Sequence, residues 1–331
     1  MSRLAALVVA GLFAVSCADD GGDGATTEAI VDGLDRPTQL FVTDDAWYVG
    51  VLNGGEEDGT GQILRLDPDD LDAAPEVVVD GLTKPTGVAV FADELWVMEE
   101  RRLTRGPLDG GDRTVVADDL AFNGRSEGTL TVDGARLLFN TSGSQRSNPT
   151  GPGDSPVTTS GSIWAIDADG EITQVAWGFK HAYALTRDDA GVLWATEMSD
   201  GSFDEQRAID EVVAVSEGNN HGWPSCVDDN RAVIESGVDD PCAGVPNSQV
   251  LFEAGSTPTG IAVAPWDPTQ LAVALWVEQR LVTISTDPAD AGSPPVLLSD
   301  EFERPQHLVA DGDRLLVTDH EAGTIVALTV G

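Results

Sequence analysis

The chain has 331 residues, room for two average domains or for one large all-β domain. Its 57 Asp and Glu against 18 Lys and Arg give a net charge of −39, which excludes most binding to nucleic acid or an anionic membrane surface, because the long-range field repels phosphate. An apolar fraction of 41% argues against global disorder.

The N-terminus reads as an address. Arg3 precedes an apolar run over residues 4–15, too short to span a bilayer, and small residues and a cysteine follow. Residues 1–17 are an export signal. Ala14-Val15-Ser16-Cys17 resembles a bacterial lipobox, in which Cys17 is lipidated; ordinary signal-peptidase cleavage is the alternative. Residues 18–27 are rich in Asp, Gly and Thr, as expected of a tether. The expected location is the cell envelope, with membrane contact only through the lipid anchor.

From residue 28 onward short β-branched runs are bounded by Gly, Pro and Asp, and no long helical period appears. The runs repeat in order. An x-Pro-Thr-type segment comes first, at Arg36-Pro37-Thr38, Lys84-Pro85-Thr86, Thr257-Pro258-Thr259 and Arg304-Pro305-Gln306. Degenerate copies stand at Arg125-Ser126-Glu127 and His181-Ala182-Tyr183. Second strands are predicted over 46–51, 94–99, 136–141, 192–197, 271–276 and 314–319, and a third and fourth strand follow in most copies. Six four-stranded repeats predict an all-β, six-bladed β-propeller as a single domain over 28–331. The sixth copy lacks a fourth strand at the C-terminus. The run 28–34, EAIVDGL, looks like the outer strands EVVVDGL and TVVADDL, so the N-terminal strand is predicted to close the last blade.

The innermost strands of a propeller line its axis, which places the x positions at one mouth. They read Arg36, Lys84, Arg125, His181, Thr257 and Arg304, with Lys180 beside His181. A cationic mouth on an acidic body points to an anionic small-molecule ligand. The competing expectation is a ring of salt bridges to neighbours such as Asp35 or Glu303. Beyond Cys17 only Cys226 and Cys242 remain, and export makes a disulfide between them the expectation.

The middle of the chain carries Gly178-Phe179-Lys180-His181, Leu193-Trp194-Ala195-Thr196-Glu197, Asp210-Glu211-Val212 and Gly218-Asn219-Asn220-His221-Gly222-Trp223-Pro224 in that order. This resembles the soluble glucose/sorbosone dehydrogenase family, six-bladed propellers that use pyrroloquinoline quinone (PQQ) and calcium. The resemblance implies an aldose dehydrogenase that passes hydride from a sugar to the quinone. The cationic mouth of Arg36, Lys84, Arg125, Lys180 and Arg304 fits the contacts such a cofactor needs, and the resemblance further implies a role in catalysis for Asp210 and calcium on the Ser199 and Asp200 carbonyls and on Glu211. The family's base histidine falls on Arg125, and an arginine is no base near neutral pH. His181 and His307, both on inner strand starts, are the replacement candidates. A propeller that binds an anionic sugar or a partner protein without oxidation is therefore the alternative.

Overall fold

In the computed structural model, residues 24–54, 59–121, 128–143 and 151–331 are described. Cys17 and Arg125 lie outside the described residues. The described chain forms six four-stranded antiparallel sheets, the blades of a propeller. Blade 1 holds Pro37–Val42, Trp47–Val51, Gly61–Leu66 and Glu76–Leu82, and blade 2 holds Gly87–Phe91, Glu94–Met98, Arg102–Gly106 and Thr114–Asp118. Blade 3 holds Thr131–Asp133, Arg136–Thr141, Ser162–Asp167 and Ile172–Trp177. Blade 4 is built from Ala182–Arg187, Leu193–Glu197, Glu211–Ala214 and Ser248–Leu251. Blade 5 is Pro258–Ala264, Asp267–Leu275, Arg280–Ser285 and Val296–Ser299. Blade 6 is Pro305–Asp311, Arg314–Asp319 and Thr324–Val330, closed by Ala25–Val31. The closing strand pairs Ala25 with Val330 and Val31 with Ile325, so it begins inside the segment expected to be tether and ends before Leu34.

The core explains why these strands read as near-continuous apolar runs. Successive side chains of a strand point to opposite faces, and in a propeller both faces meet a neighbouring blade. Trp47 packs toward blade 6 with Leu316 and Ile325, while Tyr48 packs toward blade 2 with Leu95 and Val97. Leu137 joins Trp96 of blade 2, and Leu138 joins Leu185 of blade 4. Leu271 meets Trp194 of blade 4, and Ala272 meets Leu308 of blade 6. The apolar clusters thus fill every interface of a closed ring, and a strand with only one apolar face would leave one interface unfilled.

The Pro-Thr repeat has its own reason. The Thr38 hydroxyl donates to the Pro85 carbonyl of the next blade at 2.7 Å, and Thr259 donates to Pro305 at 2.9 Å. Thr86 donates to the Gly128 carbonyl at 3.2 Å in the same manner. Each bond ties one inner strand to the next, and a bond of this kind contributes about 1 kcal/mol net. The predicted Cys226–Cys242 disulfide is present, with a Cα separation of 5.2 Å. It staples an excursion of blade 4 that has a small core of its own, Phe203, Ala208, Trp223, Val227 and Val233.

Candidate functional site

A cavity of about 490 Å³ opens at one end of the axis. Three repeated positions line it. The first is two residues after each x position: Thr38, Thr86, Tyr183, Thr259 and Gln306. The second is the residue just past the second strand of blades 1, 4, 5 and 6: Leu52, Met198, Trp276 and His320. Their backbone N–H groups bond the carbonyls of the x residues, Leu52 to Arg36 at 3.2 Å, Met198 to His181 at 3.1 Å, Trp276 to Thr257 at 3.0 Å and His320 to Arg304 at 2.9 Å. The third is the x position itself, through Lys84, His181 and Thr257, with Lys180 beside them.

The x segments are held under tension and tied down. Arg36, Lys84 and Thr257 adopt left-handed φ values of 56°, 53° and 57°, a conformation costly for residues with a Cβ. Acceptors at the ends of the second strands receive the orphan N–H groups of these turns. Glu99 accepts from Thr83 at 2.8 Å, Asn140 from Gly128 at 2.7 Å, and Asp319 from Glu303 and Arg304 at 2.7 and 2.8 Å. Glu197 accepts from Lys180 and His181. Burial pushes its carboxyl up to about 8 against those two bonds and the Lys180 charge.

Asp210 serves blade 5 in the same way. Its two oxygens accept from Ser199 at 2.9 Å and Thr257 at 2.8 Å, and burial raises its pKa. The expected catalytic Asp210 therefore lines the cavity with both oxygens already engaged by backbone, which makes it a positioning residue.

The expected cationic mouth is only partly assembled. Lys84 and Lys180 line the cavity, whereas Arg36 and Arg304 do not. Arg36 turns to Asp35 at 3.9 Å. Arg304 donates to the Trp276 and Val277 carbonyls at 3.1 and 3.4 Å and lies over the Trp276 ring, backing the wall from outside. Lys84 also meets Glu100 at 3.6 Å. A cation absent from the expected set, Arg207, reaches the cavity from the blade 4 excursion, and Asp200 and Asp210 give the lining two carboxylates.

The histidines divide differently from expectation. His181 lines the cavity, edge-on to Tyr183 at 5.2 Å. His307 does not: it sits one residue beyond the lining position Gln306 and is buried. Desolvation lowers its pKa to about 3, so it stays neutral. His320 lines the cavity instead, with Nδ1 3.1 Å from the Pro37 carbonyl and its ring 4.8 Å from Trp276. His221 stacks on Phe179 at 4.3 Å and accepts from the Ser216 N–H at 3.1 Å, a turn-packing role. The set past the second strands was accessible to the repeat alignment, because those residues occupy one repeat position; their varied chemistry hides them.

The residues expected at calcium are divided between two cavities. Asp200 faces the large cavity, whereas Ser199 and Glu211 line a separate, small one of about 10 Å³ with Glu197 and Asp228. Burial, with the charges of Glu197, Asp228 and Asp229, pushes Glu211 up to about 8 despite its bond from the Ser248 hydroxyl. Among the described residues no three His, Cys, Asp or Glu side chains form a metal-holding group.

No family model matches the chain, and no curated protein does. Solved structures share its fold. A Trichoderma reesei carbohydrate-active enzyme of family AA12 superposes with a TM-score of 0.75 at 18% identity, covering 94% of this chain and 97% of that one. The PQQ-bound aldose sugar dehydrogenase of Streptomyces coelicolor gives 0.71 at 18% identity, over 94% of this chain and all of that one. A Xanthomonas campestris gluconolactonase is less alike, at 0.57 and 15% identity over 93% and 90% of the two chains.

Proposed function

We propose that this propeller is an exported, lipid-anchored, PQQ-dependent dehydrogenase that oxidises an aldose-type sugar in the axial cavity. The observation that carries the reading is the cavity itself. It has the volume of a small-molecule site, and Lys84 and Lys180 converge on it in a chain with a net charge of −39. The likeness to PQQ-bound and sugar-acting propellers, together with the motif resemblance, supplies the choice of cofactor. The residues fit a flat tricarboxylate: two ammonium groups for its carboxylates and the Trp276 ring as an apolar wall. Calcium is assigned no step, because Ser199 and Glu211 line a cavity separate from the one that Asp200 lines.

When bound, PQQ supplies the electrophilic quinone that takes up hydride from the sugar carbon. The protein must hold the cofactor and accept the sugar hydroxyl proton. Lys84 and Lys180 hold the anion. Lys180 is 6% exposed, so its charge acts in a partly desolvated setting. His320 takes the proton. The Pro37 carbonyl can only accept, so in the neutral ring the hydrogen sits on Nδ1 and Nε2 is the basic nitrogen, the tautomer a general base needs. This transfers the family's base from the third sequence repeat, which has Arg125 at that position, to blade 6. That substitution also favours the alternative, a propeller that binds an anionic sugar without oxidising it.

One experiment decides between them. PQQ is added to the purified mature chain, binding is read by tryptophan fluorescence, and dye reduction is assayed with a panel of aldoses. Binding with reduction supports the dehydrogenase, binding without reduction for every sugar supports the alternative, and no binding overturns the cofactor assignment. His320→Asn keeps a donor for Pro37 and removes the base. It is expected to lower kcat by about 10²–10⁴-fold with PQQ affinity unchanged. In the cofactor-free chain, its removal should erase from the imidazole nitrogen spectrum the signal of a ring protonated at Nδ1.

A further inference from the structure

Arg207 stands apart from the other cations of the molecule. Every other lysine and arginine among the described residues has a polar partner, usually a carboxylate, as an excess of acid over base would dictate. The Arg207 guanidinium has no hydrogen bond and no ion pair, while its backbone carbonyl accepts from Arg231 at 3.4 Å. It senses Asp210 only as a charge at longer range, because both Asp210 oxygens are held by the Ser199 and Thr257 N–H groups.

The surroundings place this group on purpose. Arg207 sits on the strand Gln206–Arg207, which pairs with Ser202–Phe203, and Phe203 is anchored in the small core of the disulfide-stapled excursion. The guanidinium lies against Gly255, where an added Cβ would come within 2.9 Å of Nη2. A residue with no side chain thus leaves room for the guanidinium at the edge of the cavity that it lines. Arg207 is exposed, whereas Lys180 is buried and Lys84 mostly so, which gives the cavity a deep cationic pair and a separate shallow one.

We infer that Arg207 recognises a carboxylate on the sugar, so that the ligand of the cavity is an acidic sugar of the uronate type. The inference deepens the sugar-site reading above and rests on it for the word sugar; the anion contact needs no cofactor. An unpaired guanidinium at a cavity lip matches a carboxylate through two parallel N–H···O bonds. A monoanion suits the place better than a phosphate dianion, because Asp200 and Asp210 line the same cavity.

The test is calorimetric titration of the cofactor-free full chain with glucuronate, glucose and glucose 6-phosphate, compared with Arg207→Gln and with Arg36→Gln as a control outside the cavity. Glucuronate is expected to bind about tenfold more tightly than glucose, the lower end for a charge-assisted contact at an exposed site. Arg207→Gln should bring the two sugars to parity with an unchanged melting temperature, and Arg36→Gln should leave the preference intact. Parity in the unmodified chain, or a preference that survives Arg207→Gln, overturns the inference. Tighter binding of glucose 6-phosphate overturns the carboxylate assignment. If PQQ-loaded protein oxidises glucose and shows no uronate preference, this inference falls and the proposed function stands. If PQQ fails to bind while the preference depends on Arg207, the reverse holds.

Discussion

Blade 2 and blade 4 are built on the same four-strand plan and do different work. Blade 2 passes from strand to strand through short turns, and its Trp96 and Leu103 are fully buried between neighbours. Blade 4 interrupts the plan twice, between Glu197 and Glu211 and again between Ala214 and Ser248. The interruptions carry the disulfide, a private core, and the cavity residues Asp200, Arg207 and Asp210. The regular blade holds the ring together, and the irregular one furnishes its mouth. Substitutions in the two regions should therefore separate stability from binding.

The largest effect belongs to the regular region. Trp96→Ala removes a fully buried indole whose N–H donates to the Phe91 carbonyl at 3.0 Å. A loss of about 3–5 kcal/mol is expected for such a truncation. Because the cluster joins blades 2 and 3, thermal unfolding should shift as one transition. A second, unshifted transition would show that the blades unfold separately and would break the comparison.

Replacing both Cys226 and Cys242 by Ser is next. A loop of this size contributes about 3 kcal/mol through the unfolded chain. The loss should stay local, because the excursion has its own core. Hydrogen exchange is expected to speed up over 199–247 and to stay slow in Trp96 and its neighbours, while sugar binding weakens. Equal acceleration in blade 2 would show that the excursion is not a separate unit.

Acidity tests the same division. Glu197 and Glu211 in blade 4 are raised to about 8 by burial, so the folded state holds their protons where the unfolded chain, near 4.5, has released them. Stability from these two groups is complete below about 4.5 and lost as pH rises through 8. His221 and His307 are lowered to about 4 and 3, so their contribution is present above 6.5 and lost as pH falls toward those values. The melting temperature should rise as pH drops from above 8 to 6.5, level off, and fall below 4.5, where the depressed Asp133 and Glu217 of the Arg136–Arg187 cluster also take up protons. Glu211→Gln should flatten the alkaline limb; an unaltered limb would place the titration elsewhere.

Much of the ring was legible because its causes repeat. The Pro-Thr segment recurs because each hydroxyl reaches the next blade, and the apolar runs recur because both strand faces meet a neighbour. The closing strand betrayed itself as a copy of the outer strands. The site was less legible because repetition fixes backbone and not chemistry. Arg36, Lys84 and Arg304 share one repeat position, and only Lys84 faces the cavity, since side-chain direction there depends on whichever partner lies nearest. The residues after the second strands vary as Leu52, Met198, Trp276 and His320, with no common type to flag them. Arg207 lies in an insertion that the repeat does not describe at all.

The last and smallest effect follows from that divergence. Lys84→Ala and Arg36→Ala change the same repeat position, with φ values of 53° and 56° in the parent chain. Lys84 lines the cavity, so its loss should weaken PQQ binding by about tenfold, the weight of one charge-assisted contact. Arg36 is half-exposed and 3.9 Å from its acidic neighbour, a contact worth about 0–1 kcal/mol at a surface. Its removal should leave both affinity and melting temperature within error. The comparison turns on direction, because the two residues share backbone, repeat position and charge and differ in where the charge is spent. Equal losses of affinity from the two substitutions would restore a full cationic ring and undo the distinction between repeat position and cavity wall.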